Sequence, residues 1–184
     1  IDFVTPQYYG AKGTGIDDDT EAIQTAMESG KIVYFPKANY LVHGKILVPA
    51  GSVLIGNDAV IKWTNNVDDT FLVGNFGIQN IHIEGITFDF DGQTDLKYGM
   101  SFTTCENIII KNCEFVNCYG YALRLTETHD FRVENCTFHA IDGGTGNPGG
   151  AVFGIDSYDG IVKGCECFDI DDHFAYFAGA NATY

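Results

Sequence analysis

The chain is short of basic residues. Ten Lys and Arg stand against 25 Asp and Glu, a formal net charge of −15. Nucleic acid and anionic membranes are held through a basic footprint, so no binding to nucleic acid is expected. A neutral partner, a cationic one, or one carrying its own cations suits this surface. No apolar run approaches the ~20 residues that cross a bilayer as a helix, and no membrane insertion is expected. Cysteine occurs six times but never as a C-x2-C pair; the tightest spacing is Cys165 and Cys167. Asn-Gly, the hairpin dipeptide, is absent, which argues against an antiparallel sandwich.

What is present is a repeat. With 184 residues and 45% apolar content, the chain can bury one sizeable core. From residue 77 onward, NIHIEGITF (80–88), NIIIKNCEF (107–115) and DFRVENCTF (130–138) align, followed by GIVKGCEC (160–167). Each copy is accompanied by a second strand-like unit: YGMSF (98–102), YALRL (121–125), AVFGI (151–155) and HFAYF (173–177). A period of ~20–30 residues with short strands and no helix is the signature of a parallel β-helix. Strands of successive coils then stack ~4.8 Å apart. The expected fold class is all-β: a right-handed, single-stranded parallel β-helix.

Within the repeat, Gly85, Asn112, Asn135 and Gly164 align. Gly and Asn tolerate a left-handed backbone, so this column is expected to bend the chain from one sheet to the next. Lys111 before it is expected to face solvent. Ile86, Cys113, Cys136 and Cys165 then point inward, as do Phe88, Phe115, Phe138 and Cys167. A column of parallel thiols diverges from any single point, so no metal site is assigned to it. The cysteines are read as small buried hydrophobes.

The head differs. Asp18 is expected to cap a helix with Glu21 as capping-box partner; Ala22, Ile23, Ala26 and Met27 share its apolar face, and Gly30 ends it. The expected division is an opening segment with a capping helix at 1–30 and β-helix coils at 31–184. The last residues, HFAYFAGANATY, stop without a polar closing segment. A longer chain, or a partner covering that end, is therefore expected.

Residues 8–24, YYGAKGTGIDDDTEAIQ, resemble the opening motif of the pectate-lyase-like right-handed β-helix superfamily. VYFPKANYLV (33–42) resembles that family's next strand pair. Thr14 stands where the family usually has Asp. The resemblance implies a carbohydrate-directed protein: a polysaccharide lyase, a glycoside hydrolase, or a phage tailspike or appendage. The phage type is the nearest in style. It implies a homotrimer, a virion or extracellular location, and a polysaccharide or teichoic-acid-like glycan as partner. A secreted bacterial enzyme and a non-catalytic glycan-binding or structural spike are the alternatives.

Glycan hydrolysis needs two carboxyl groups, and lyase chemistry needs a base and a charge neutraliser. Aligning the repeats places Ser101, Arg124, Gly154 and Tyr176 in one outward column, and Glu106, His129, Asp159 and Asn181 in another. Arg124, Glu127, His129, Asp156 and Asp159 become the candidate catalytic patch, with the loop at 143–150 walling it. The alternative cluster is Asp171, Asp172 and His173, beside Asp169. Its paired aspartates resemble those of polygalacturonase-type hydrolases, but that family's accompanying signatures are missing. Tyr121, Tyr158 and Tyr176 are candidate platforms for sugar rings, with Tyr119 beside them. No cofactor is assigned. Calcium at Asp89, Asp91 and Asp95 is an alternative, although Met100 stands where a calcium loop needs Glu.

Overall fold

A computed structural model describes residues 2–64, 70–74, 76–91, 98–143, 149–171, 173–178 and 181–183. The strands pair in parallel and form two sheets. The narrower one stacks six strands: Ile46–Val48, Thr70–Gly74, Tyr98–Thr103, Tyr121–Thr126, Gly150–Ile155 and His173–Ala178. The broader one is bent into two limbs. Its first limb contains Glu106–Lys111, His129–Glu134 and Tyr158–Lys163, and its second Glu114–Tyr119, Thr137–Asp142 and Glu166–Ile170. The strand Gln79–Asp89 runs through both limbs. The architecture is a parallel β-solenoid of about six coils, with one α-helix among the described residues.

The bend between limbs lies where the aligned repeats place it. Gly85, Asn112, Asn135 and Gly164 have φ of 71°, 51°, 53° and 62°. A left-handed residue turns the chain within a single step, and only Gly and the short polar residues adopt it cheaply. Just before the bend, Glu84, Lys111, Glu134 and Lys163 are stacked register partners of alternating sign. Lys111 is therefore half-buried in a charge ladder rather than free in solvent. Its Nζ lies 2.9 Å from Glu134, and that of Lys163 lies 3.1 Å from the same carboxylate. The Lys111 hydrogen bond, then that of Lys163, holds the Glu134 carboxyl below the usual carboxylate range.

After the bend, two columns fill the core. Phe88, Phe115 and Phe138 are register partners with ring centroids 5.3 and 4.8 Å apart, and Trp63 extends the stack at 6.1 Å from Phe88. All four side chains are fully buried. Burying each contributes about 1.5–3 kcal/mol, with stacking adding to it. Cys113 and Cys136 are buried beside Ile86, and Cys165 is half-buried at the end of their column. All six cysteines are free thiols. Hydrogen bonding with Cys113, together with burial, pushes Cys136 up to about 12. Burial pushes Cys167 up to about 12.

The helix spans Thr20–Glu28 and buries Ala22, Ile23, Ala26 and Met27 against the first coil, as its apolar spacing indicates. Its start differs from the expected capping box. Asp19 occupies the cap position, but its buried carboxylate instead accepts from the backbone N–H groups of Lys12 and Gly13, at 2.6 and 3.0 Å. Asp18 takes the capping contact, accepting from the Thr20 N–H at 3.0 Å. Glu21 is the second helical residue and is exposed. The aspartates of the opening motif thus organise backbone: one pins the preceding loop, the other the first turn.

Candidate functional site

The outer face of the narrow sheet carries two columns. Tyr98, Tyr121, Gly150 and His173 are register partners in one, and Val73, Ser101, Arg124, Phe153 and Tyr176 in the other. Phe153, not Gly154, stands beside Arg124. Gly154 lies one step away, partnering Leu125 and Phe177. Aligning the repeats across the inserted loop at 143–150 slips this coil by one residue.

Side chains of the two columns interlock. The ring of Tyr121 lies 4.5 Å from that of Phe153 and 6.4 Å from that of Tyr98. Phe153 stacks on Tyr176 at 5.6 Å, with planes 9° apart. Gly150 makes room for Tyr121: a Cβ there would stand 2.8 Å from the ring. Tyr121 is consequently buried, which corrects its expected role as an open sugar platform. Tyr176 is 43% exposed and forms the open end of the strip. The Arg124 guanidinium sits 4.6 Å over the Tyr98 ring, a cation–π contact. Its Nε is buried without a hydrogen-bond partner, and Arg124 makes no ion pair among the described residues. Among the described residues the guanidinium is thus held by the Tyr98 ring and not by a carboxylate.

A second group lies on the first limb of the broad sheet. Gln79, Glu106, His129 and Tyr158 are register partners there, so Tyr158, not Asp159, stands beside His129. Asn80, Asn107, Asp130 and Asp159 follow them, each with φ between 53° and 62°. Gln79, Asn80, Glu106, Asn107, Asp130 and Asp159, with Arg132, line a groove of about 390 Å³. Glu106, His129 and Asp130 bring one imidazole nitrogen and two carboxylate oxygens within 4.8 Å of one another.

The candidate catalytic patch is therefore divided. Arg124 belongs to the narrow sheet, and His129 and Asp159 to the first limb. Glu127 and Asp156 occupy the exposed corner between them, in left-handed conformations with φ of 47° and 48°. The alternative cluster divides too. Asp171 lines a groove of about 500 Å³ together with Asp91, Asp142 and Asp169. His173 lies on the narrow sheet, edge-on to Tyr176. Asp172, most of the loop at 143–150 (residues 144–148) and Asp95 lie outside the described residues. Asp89 and Asp91 both face Lys62, whose Nζ is 3.8 and 2.6 Å away.

Tyr98, Phe153 and Asp130 stand outside the sites expected from sequence alone. Tyr98 had a usable signal, because it repeats at Tyr121 with the same offset from the following strand. Phe153 was hidden by the one-residue slip. Asp130 looks like a solvated turn until its neighbour across the coil is known to be Glu106.

Two family models match the chain. One, described as the right handed beta helix region, covers residues 51–184. The other, rhamnogalacturonase A/epimerase, pectate lyase-like, covers residues 4–80. The preneck appendage protein of Bacillus phage PZA is 26% identical over 212 residues, covering 92% of this chain and 24% of that protein. The chain thus spans about a quarter of the length of this curated relative. Among solved structures, PfbA, a surface adhesin of Streptococcus pneumoniae, superposes with a TM-score of 0.77 at 20% identity, over 89% of this chain and 48% of that one. A hyperthermoactive exopolygalacturonase from Thermotoga maritima gives 0.76 at 12% identity, over 95% of this chain and 54% of that one.

Proposed function

The chain belongs to the right-handed β-helix family, and on that premise we propose that it is a glycan-recognising segment of a phage appendage. The name of the phage relative supports the appendage part of this reading. The exopolygalacturonase supports the glycan part, as a protein of like fold named for polysaccharide cleavage, and the adhesin supports a role at a cell surface.

The observation that carries the reading is the strip formed by Tyr98, Arg124, Phe153 and Tyr176, backed by the buried ring of Tyr121. Aromatic faces offer apolar area at low entropic cost, which suits the C–H faces of sugar rings. Arg124 supplies a planar fork of donors for a carboxylate or phosphate on the same glycan. The glycan is thus an anionic surface polysaccharide, uronate- or phosphate-bearing, that carries its own counter-cations past the chain's net charge of −15. In this reading the helix Thr20–Glu28 caps the first coil, residues 1–30 are an opening segment, and the coils begin at 31. The appendage is a homotrimer on the virion.

A cleaving activity is a second reading, favoured by the groove whose lining includes Asp91, Asp142, Asp169 and Asp171. Paired carboxyls are the groups that glycoside hydrolysis requires. Affinity electrophoresis against acidic and neutral polysaccharides, with mass analysis of any products, tests both readings. Retardation by acidic glycans alone is expected. Loss of cleavage in Asp171→Asn with retention of binding would assign hydrolysis to that groove. Absence of retardation by any glycan contradicts the proposal.

A further inference from the structure

We propose that Glu106, His129 and Asp130 form a binding site for a divalent first-row transition ion, with Zn²⁺ the best match. The site is separate from the aromatic strip. Its ligands come from two successive coils: Glu106 from one, His129 and Asp130 from the next.

Three observations carry the inference. The first is geometry. One ring nitrogen and two carboxylate oxygens already lie within 4.8 Å of one another. His129 Nδ1 and Asp130 Oδ2 are 3.5 Å apart, close to the ~3.3 Å edge of a tetrahedron built with ~2.0–2.1 Å bonds. Drawing Glu106 in by at most about 1.5 Å, from within 4.8 Å to the tetrahedral edge, needs only side-chain rotation of a half-buried residue on a fixed strand.

The second is orientation by neighbours that are not themselves ligands. Gln79 Nε2 donates to Glu106 Oε2 at 2.9 Å, which leaves Oε1 open. The His129 ring is stacked on Tyr158 at 5.0 Å, with planes 9° apart. Supports of this kind hold first ligands in place at metal sites.

The third is charge. Glu106, Asp130 and Asp159 all border one groove, and Arg132 is the cation that lines it with them. Arg132 is also drawn towards Glu134, 3.9 Å away. A divalent ion relieves the repulsion among the carboxylates, and Asp159 or water completes the coordination. An imidazole with two carboxylates selects Zn²⁺, Mn²⁺ or Co²⁺ over Ca²⁺ and Mg²⁺, which prefer all-oxygen sets. Because the ligands bridge coils, binding also stabilises the folded state by mass action.

The test is calorimetric titration of chelator-stripped protein with Zn²⁺. Cobalt substitution follows, read by its visible absorption. One saturable equivalent is expected, with a rise in thermal midpoint. His129→Ala and Asp130→Asn should each weaken binding at least about tenfold. His139→Ala, at the separate pair with Glu114, should leave binding unchanged. Asp130→Asn keeps a residue suited to φ of 53°, so it serves if His129→Ala fails to fold. Absence of a saturable equivalent overturns the proposal. So does binding of undiminished affinity in Asp130→Asn, or binding that His139→Ala removes.

Discussion

The imidazole of His129 lies flat on the phenol ring of Tyr158, the next register partner along the first limb, with centroids 5.0 Å and planes 9° apart. The contact sets which face of His129 is open. His129 ring protons are therefore expected upfield of those of a free imidazole in the NMR spectrum. Tyr158→Ala should return them, whereas Asp159→Asn should leave them in place. An unshifted His129 signal in the wild-type chain would contradict this register.

Phe115 sits between Phe88 and Phe138, fully buried, with centroids 5.3 and 4.8 Å away. Removing its ring opens a cavity that the stacked coils cannot close by shifting one strand. Phe115→Ala is expected to cost about 3–5 kcal/mol in urea unfolding. A cost under about 1 kcal/mol would mean that the column does not carry the core.

These two contacts differ in how readable they were. The Phe column follows from the spacing of EGITF, KNCEF and ENCTF, because each copy carries its own bend and core positions. The bend itself was legible at Asn112 and Asn135, since few residue types accept a positive φ. The His129–Tyr158 contact was not. It lies across the inserted loop at 143–150, where Gly-rich sequence gives no anchor and a one-residue slip exchanges the two faces of a strand. The same slip concealed Phe153 beside Arg124. Separation of the candidate patch into two faces was also invisible, because Glu127 and Asp156 mark a corner that sequence adjacency hides.

Glu134 gives a pH dependence. Its carboxyl titrates below the ordinary value of 4.5 because Lys111 and Lys163 hold it ionised. The folded value lies below the unfolded one, so Glu134 adds stability above the unfolded value. That contribution is lost as pH falls through the lowered folded value. Glu134→Gln is therefore expected to flatten the acid side of a stability–pH profile while lowering stability near neutrality. Unchanged slopes would remove the ladder from the account.

The thiols give a labelling pattern. Cys136 and Cys167 are both held up to about 12, and only the thiolate reacts quickly. The native chain at pH 8 should label slowly with a disulfide reagent, and six equivalents should appear on unfolding. Rapid labelling of Cys113 or Cys136 in the native state would contradict the packing of their column.

The direct test of glycan recognition is affinity electrophoresis of the chain with an acidic polysaccharide, comparing wild type with Arg124→Ala and Tyr176→Ala. Circular dichroism checks that each variant is folded. The account predicts retardation of the wild type, loss of most of it in Arg124→Ala, and partial loss in Tyr176→Ala. Equal retardation of all three folded proteins, or retardation of none, would contradict it.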